Sequence, residues 1–369
     1  MTILITAVAF FLLITGLILI HELGHFFAAR WAGVEVEEFG FGLPPRAKSL
    51  FRWKGTIFSF NWIPFGGFVR LKGEGAIEES ERDAPGSFAS TGIAKRCVIL
   101  VAGVTMNFLL AMCIFFYGFA VGGWIPTYLS LDEMEDAASR GEIAMHLAVV
   151  IDDVLAGGTA LDAGVLAGSI LYAVDDVPVS RPDDVVKLQQ GKSSVTYTYA
   201  AGPDDAPTTV RVAVEDGKTG VYLRTVPMEV TAPRRGPGEA FLLSIRETSV
   251  VTEQTVLGIA RLFSSLAQRG VVPEGVTGIV GIAQLTYTSV QGGAAVYFRL
   301  VALLSLSLAI LNILPFPALD GGRLLFVLSE LFIRPGSRRV ELITNTVGFG
   351  VLLFVIILVT LYDVFRLFS

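Results

Sequence analysis

The sequence is poor in the side chains from which soluble metal and redox sites are built. Its 369 residues include two cysteines, Cys97 and Cys113, and three histidines, His21, His25 and His146. No Cys-x-x-Cys pair occurs, which argues against a zinc site made of thiolates. If both cysteines lie on one helix, they stand roughly 24 Å apart, too far for a disulfide. Any metal site must therefore be completed by a carboxylate or by the remote His146.

Charged side chains are also scarce. They form 17% of the residues, against 53% hydrophobic, whereas soluble domains usually carry about a quarter charged residues. A net charge of −6 gives no reason to expect a nucleic-acid partner, because such proteins favour a basic surface. Between Trp124 and Glu239, acidic residues are twice as numerous as basic ones. The composition predicts a membrane protein with one acidic, water-soluble segment.

Four apolar runs are candidates to cross a bilayer, which takes about 20 residues. They cover approximately residues 2–29, 98–121, 298–314 and 347–361. The first run is not typical of a signal peptide, because no Lys or Arg precedes it and no small-residue cleavage site follows it. Basic residues cluster between the first and second runs and between the third and fourth. The positive-inside rule therefore predicts that these two loops are cytoplasmic, with the acidic segment and both termini outside.

His21 and His25 stand four residues apart inside the first run, and Glu22 lies beside them. On a helix this spacing puts both imidazoles on one face. There they can bind one Zn²⁺ while the glutamate acts on its bound water. Ionisable side chains in an apolar span are costly, which favours a functional site. The alternative is that the two histidines only hydrogen-bond to neighbouring helices.

Asp320 is the candidate for a third ligand. It follows Pro315 and Pro317, which break a helix at membrane depth, and such breaks are tolerated only where the backbone lines protein or a wet cavity. A buried, unpaired carboxylate is costly, and zinc coordination would satisfy it. The alternative is that Asp320 caps a helix that begins near Gly321. His146 is expected to be a surface or packing residue rather than a ligand.

These motifs resemble the paired signature of the site-two protease family of intramembrane zinc metalloproteases. The first motif is the His-Glu-Leu-Gly-His of residues 21–25, and the second is Asn-Ile-Leu-Pro-Phe-Pro-Ala-Leu-Asp-Gly from Asn312 to Gly321. Residues 64–70, 103–107 and 278–284 also agree, most closely with the bacterial branch of the regulator of sigma-E protease (RseP). The resemblance implies that His21, His25 and Asp320 bind Zn²⁺ and that Glu22 is the catalytic acid and base. It also implies that the substrate contacts Asn312, Asn107, Gly66, Gly67 and Phe68.

The family fold implies a membrane-dipping β-sheet between the first two spans, whose edge pairs with an unwound substrate. Residues 34–41 alternate like a strand, and residues 56–69 are rich in β-branched and aromatic side chains, with turn signals at Pro64 and Gly66–Gly67. Adding a strand to an exposed edge is a general mode of peptide capture. The alternative is an ordinary cytoplasmic hairpin without substrate contact.

The acidic segment resembles a bacterial PDZ domain from Asp162 to Val179. A helix is predicted over Arg181–Gln190 and further strands over Val195–Tyr199 and Thr209–Val214. One such domain fits between about residues 146 and 226, whereas the family branch that the chain resembles carries two in tandem. It could bind a peptide terminus or block bulky ectodomains.

The expected fold is a polytopic α-helical membrane protein with about four transmembrane helices, a membrane-associated β-sheet and an inserted extracytoplasmic PDZ-like α/β domain. Residues 1–123 hold the first two helices and the zinc-binding histidines. Residues 124–238 hold the PDZ-like domain. An extracytoplasmic linker with an amphipathic helix follows over 239–295, and the last two helices over 296–369.

The resemblance implies hydrolysis of peptide bonds in single-span membrane proteins, such as anti-sigma factors or remnant signal peptides, after an upstream protease has shortened them. It implies a bacterial inner-membrane enzyme in contact with lipid, with its active site toward the cytoplasm. One alternative is a catalytically inactive relative that binds membrane segments. Others are a metal transporter, which would need ligands repeated across the membrane, and a soluble-type zinc peptidase on a single anchor, which would keep its motif in water.

Overall fold

The computed structural model describes residues 2–75, 78–202, 205–273, 275–332 and 338–368. The chain divides into two compact units. Unit 1 comprises residues 1–122 and 235–369, and unit 2 comprises residues 123–234. All the candidate zinc and substrate residues lie in unit 1. The first part of unit 1 contains α1 (Thr2–Ala32), β1 (Val36–Trp53), β2 (Thr56–Leu71), α2 (Glu79–Arg82) and α3 (Ile93–Ala120).

The strands β1 and β2 form one sheet whose segments fold back on one another. Phe39 pairs with both Val69 and Phe58, and Phe41 pairs with both Gly67 and Phe60. The first part of β1 therefore lies between two portions of β2. In this register residues 67–71 pair only with residues 36–41, so they form an edge of the sheet.

The turn predicted at Pro64 and Gly66–Gly67 is confirmed by the register. Residues 57–60 run in the same direction as residues 38–41, whereas residues 67–70 run opposite to them, so the chain reverses direction between these two portions of β2. The glycines also allow the strand to approach α1. Gly66 has φ +74, and a side chain there would also meet Ile18 of α1. A Cβ on Gly67 would lie 2.7 Å from Leu19 of α1 and 2.9 Å from the carbonyl oxygen of Gly40.

Unit 2 contains α4 (Leu131–Ser139), β3 (Ala144–Val154), α5 (Thr159–Asp162), β4 (Ile170–Val174), β5 (Val177–Pro178), α6 (Pro182–Gln189), β6 (Ser194–Ala200), β7 (Thr208–Ala213) and β8 (Val221–Thr231). Its sheet has the order β7-β6-β4-β3-β8, and β5 pairs with β4. The predicted helix and the two later strands are confirmed as α6, β6 and β7. His146 is an exposed residue of β3, opposite Met228.

The second part of unit 1 contains α7 (Pro237–Arg269), α8 (Ile279–Gln291), α9 (Ala294–Ile313), α10 (Asp320–Ser329) and α11 (Arg338–Phe368). The segment expected to be a linker holds two helices that pack with the apolar ones. Glu247 of α7 is buried and pairs with Arg299 of α9 at 3.0 Å. Asp363 of α11 accepts hydrogen bonds from the backbone N–H groups of Gly278 and Gly281 at the start of α8, both at 2.8 Å.

Within the described residues, four helices are long and apolar enough to cross a membrane: Ile3–Ala32, Ile93–Ala120, Ala294–Ile313 and Val340–Arg366. Each coincides with one predicted span, which confirms that prediction. α3 begins earlier than hydropathy indicates, because tertiary partners satisfy its first charges. Lys95 donates to the carbonyl oxygen of Ala32 at 3.0 Å, and Arg96 pairs with Glu330. Cys97 and Cys113 are both free and both lie on α3.

Candidate metal centre

The continuous helix α1 places His21 and His25 one turn apart on the same face. Their Nε2 atoms are 3.1 Å apart, and both side chains are buried. Nδ1 of His25 donates a hydrogen bond to the carbonyl oxygen of Ile99 in α3 at 2.8 Å. This bond fixes the proton on Nδ1, so Nε2 carries a free lone pair.

Asp320 brings a carboxylate to the two histidines from the other end of the chain. Its Oδ2 lies 2.9 Å from Nε2 of His21 and 3.3 Å from Nε2 of His25. The N-cap position of α10 belongs to Leu319, and no side chain caps this helix end. The carboxylate of Asp320 is therefore directed to the imidazoles at the start of α10.

The three ligand atoms fit a tetrahedral zinc site. Zinc–ligand bonds of about 2.0–2.1 Å imply ligand–ligand separations of roughly 3.3 Å, and the three observed separations run from 2.9 to 3.3 Å. Lone pairs of two imidazoles and one carboxylate converge here, which a cation would satisfy. Among the described residues, no other group of three His, Cys, Asp or Glu side chains converges in this way.

Two ion pairs hold α10 in place. Arg323 pairs with Glu74, which follows β2, and Arg96 of α3 pairs with Glu330 at the end of α10. Burial alone would lower the pKa of Arg323, but the neighbouring carboxylates, that of Glu74 first, together outweigh burial and raise this pKa. The guanidinium therefore stays charged and ties α10 to the end of the sheet.

Helix α11 supports the turn that leads into Asp320. The side-chain oxygen of Asn345 accepts a hydrogen bond from the backbone N–H of Ala318 at 3.1 Å. Ala318 adopts φ +75, a conformation that an alanine rarely takes without such support. A Cβ on Gly348 would lie 2.7 Å from the carbonyl oxygen of Pro317, so α11 packs directly on this turn. Helix α11 thus holds in place the backbone turn that positions the carboxylate of Asp320.

Two glycines allow α1 and α3 to cross at the ligands. A Cβ on Gly24 of α1 would collide with the backbone of Ala102. On the facing side, a Cβ on Gly103 of α3 would lie 2.5 Å from Nε2 of His25 and 2.8 Å from Nε2 of His21. Gly103 therefore leaves the space in which the two metal-binding nitrogens meet.

Gly103→Ala is expected to lower zinc affinity by roughly tenfold or more, the effect seen when the support of a metal ligand is disturbed. The added methyl group would displace both imidazoles, because α1 and α3 are already in close contact at Gly24 and Gly103. The measurement is zinc per chain after purification in limiting zinc. Gly16→Ala, at an open position of α1, is the matched control. Equal zinc content in the two variants would show that this crossing tolerates a side chain.

The ligands open into a cavity of about 340 Å³. Its lining includes Glu22, Asn312 and the edge-strand residues Phe68 and Val69. Glu22 therefore lies in the same cavity as the candidate metal ligands and the sheet edge.

The other expected substrate residues lie elsewhere. Gly66 and Gly67 pack against α1 and do not line the cavity. Asn107 is fully buried on α3, where its carbonyl oxygen accepts a hydrogen bond from Ser305 at 2.8 Å. Neither polar atom of its side chain has a hydrogen-bond partner in the described part of the chain. The structure therefore joins Asn312 and Phe68 to the metal centre and leaves the other three outside its lining.

Sequence reasoning missed the residues that hold the ligands in place. Arg323, Glu74 and Gly103 act through contacts between segments distant in the chain, and their spacing carries no signal of this. Asn345 does carry a signal in the sequence. It is a polar residue near the start of an apolar span, and such residues are rarely without a role.

Comparison with known proteins identifies the family. The family model described as Peptidase family M50 matches residues 9–355 of the chain. The chain belongs to peptidase family M50. A predicted zinc metalloprotease of Clostridium perfringens is 30% identical over 358 residues, which cover 95% of this chain and 96% of that protein.

Two further relatives of this M50 chain come from two organisms that are distant from each other. A predicted zinc metalloprotease of Rhizobium meliloti is 26% identical, over 99% of this chain and 97% of its own length. The chloroplastic membrane metalloprotease ARASP of Arabidopsis thaliana is 28% identical, over 92% and 74%. This M50 chain is a multi-pass membrane metalloprotease of the site-two type, and its cofactor is Zn²⁺.

Proposed function

We propose that this M50 protease hydrolyses peptide bonds in the membrane-spanning segments of single-span proteins. One observation carries the proposal: two of the candidate zinc ligands and Glu22 lie on α1, which is itself long and apolar enough to span a membrane. Leu308 and Asn312 of α9, a second such helix, line the same cavity. A soluble-type peptidase on one anchor would keep these groups outside its apolar helices.

His21, His25 and Asp320 would hold the zinc, which when bound supplies the Lewis acidity that makes water nucleophilic at neutral pH. A carboxylate oxygen of Glu22 takes the proton of the attacking water. The same carboxylic acid then delivers this proton to the nitrogen of the leaving amine. The side-chain amide of Asn312 is placed to hold the substrate backbone in the cavity.

The sheet edge at residues 67–71 supports capture of an extended substrate. A helical membrane segment hides its amides in intrahelical hydrogen bonds, so it must unwind before it is cut. An exposed strand edge offers replacement partners for the freed backbone groups. Phe68 and Val69 bring this edge into the cavity beside Glu22. This favours a substrate-binding sheet over an ordinary hairpin.

The proposed setting is the inner membrane of a bacterial cell, as in the branch of the regulator of sigma-E protease. Basic residues in the sheet between the first two candidate spans support an active site that faces the cytoplasm, with unit 2 outside. Substrates would be single-span proteins, such as anti-sigma factors or remnant signal peptides, that an upstream protease has already shortened. Membrane lipid surrounds the apolar helices.

The test is cleavage of a tagged single-span protein in detergent by the zinc-loaded full chain, with Glu22→Gln as the catalytic control. Product that forms with the wild-type chain, and not with the variant, supports the proposal. A wild-type chain that binds zinc and the substrate but never cuts would indicate an inactive, segment-binding relative.

We further propose that unit 2 is a PDZ-like domain that excludes bulky ectodomains. Its antiparallel sheet, the helix α6 and the terminal strand β8 support a PDZ-like interpretation. Because unit 2 forms its own compact core, it can obstruct access without contributing to the chemistry.

Replacing residues 123–234 by a flexible Gly/Ser linker is expected to relax selection by ectodomain size. The measurement compares cleavage of two substrates that share one membrane segment but carry a short or a bulky ectodomain. The wild-type chain should prefer the short one, and the variant should cut both at similar rates. Continued cleavage of the short substrate controls for the folding of unit 1. An unchanged preference would refute the size-exclusion role.

A further inference from the structure

A buried carboxylate in the sheet makes contacts that the chemistry described so far does not use. Glu38, on the first part of β1, is only 2% exposed. Its Oε1 accepts hydrogen bonds from Nε of Arg46 and from Oγ of Ser59, both at 2.7 Å. Its Oε2 is paired with Arg46 and lies 3.3 Å from Nη1 of Arg70.

These three partners come from the three other segments of the sheet. Arg46 stands at the start of the second part of β1, and Ser59 is in the first part of β2. Arg70 lies on the edge strand that borders the cavity. One side chain therefore ties the edge strand to every other segment of the sheet.

The edge strand in turn borders the cavity that contains the proposed catalytic base. Glu38 and Arg70 are paired in the register, and the next pair along is Phe39 with Val69. Val69 and Phe68 line the same cavity as Glu22. A displacement of Arg70 would therefore also displace the adjacent backbone of Val69, which borders the cavity proposed to hold the substrate.

A purely structural role does not require a charge at this position. A buried carboxylate loses its hydration, and an apolar residue of similar volume often stabilises a fold equally well. The guanidinium of Arg46 instead lowers the pKa of Glu38 against the opposing effect of burial, which keeps the carboxylate ionised. The ionic contacts are directional, so they fix the positions of the sheet segments relative to one another. Apolar packing alone would fix these positions less tightly.

We infer that Glu38 is a positioning residue that fixes the substrate-pairing edge of the sheet beside Glu22. This inference rests on the proposed function, in which residues 67–71 pair with an unwound substrate. It assigns Glu38 to substrate binding and not to zinc binding or bond cleavage. Its removal should therefore weaken the Michaelis complex and leave the metal centre intact.

The experiment measures kcat and KM for a tagged single-span substrate together with zinc per chain. Glu38→Gln keeps the size of the side chain and removes its charge. The KM should rise roughly tenfold or more, the scale on which small displacements of substrate-positioning groups act. The kcat should stay within about twofold and the zinc content should equal that of the wild-type chain. Glu37→Gln, at the exposed neighbouring position, is the matched control and should match the wild-type chain in all three quantities.

Ser59→Ala provides a second variant with less risk to folding, because it removes a single hydrogen bond to Glu38. We expect the KM to rise in the same direction but by a smaller factor. In the double variant the two effects should be less than additive in free energy, because both act through one network. Additive effects would refute the shared network.

The outcomes separate this inference from the proposed function. A wild-type chain that leaves the substrate uncut overturns the proposed function itself. If the wild-type chain cuts and Glu38→Gln has the same KM, only the positioning role of Glu38 fails. Loss of zinc from Glu38→Gln, or a fall in kcat alone, would likewise overturn it by showing that Glu38 supports the metal centre or the chemical step.

Discussion

The Glu22→Gln variant is expected to bind as much zinc as the wild-type chain and to cleave a single-span substrate roughly 10³-fold more slowly. The amide of glutamine keeps the shape of the side chain but cannot take a proton from water or return it to the leaving amine. Zinc binding should persist, because the converging ligand atoms belong to His21, His25 and Asp320. The measurement pairs metal analysis with cleavage of the tagged substrate.

Zinc content is the control that gives this result its meaning. If activity and zinc disappear together, the substitution has disturbed helix α1 and says nothing about the base. If both stay at the wild-type level, Glu22 is not the proton carrier, and another group in the cavity must replace it in the mechanism.

The Asp320→Ala variant is expected to lose most of its zinc and, with it, its activity. Changes in the groups around a ligand already weaken metal binding by about 10–100-fold, so removing one of three ligands should exceed that range. The two remaining imidazoles lie on one helix, so they can coordinate the metal from one side only. Zinc per chain after dialysis against a weak chelator measures the effect.

Asp183→Ala, at an exposed aspartate of α6, is the matched control and should retain full zinc. Full zinc in Asp320→Ala would assign the third ligand to another residue. Partial recovery of the zinc content in Asp320→Glu would show that a carboxylate is needed and that the length of its side chain affects the zinc affinity.

Local patterns indicated the three candidate ligands and the four helices that are long and apolar enough to span a membrane. The spacing of His21 and His25 fixes their relation as soon as α1 is helical, and a run of apolar residues identifies a span without its neighbours. Asp320 was found because two prolines and a lone carboxylate at membrane depth are rare together. Each of these signals lies within a few consecutive residues.

Features that depend on distant partners could not be found in this way. Pro64 and Gly66 indicate a turn but not the segments that it brings together. The two portions of β2 that it joins both pair with the first part of β1, and α1 lies against the glycines. The helix α8 begins at Ile279 because Asp363, 85 residues away from Gly278, accepts hydrogen bonds at its N-terminus. No local pattern contains such a partner.

The separation of the candidate ligands along the chain bears on when the metal site can form. His21 and Asp320 are separated by 299 positions in the chain. During synthesis the first helix reaches the membrane long before the last ligand has left the ribosome. A growing or truncated chain that ends before residue 320 therefore has the two histidines without the carboxylate. Under the proposed mechanism, such a chain is expected to be inactive until Asp320 has been synthesised.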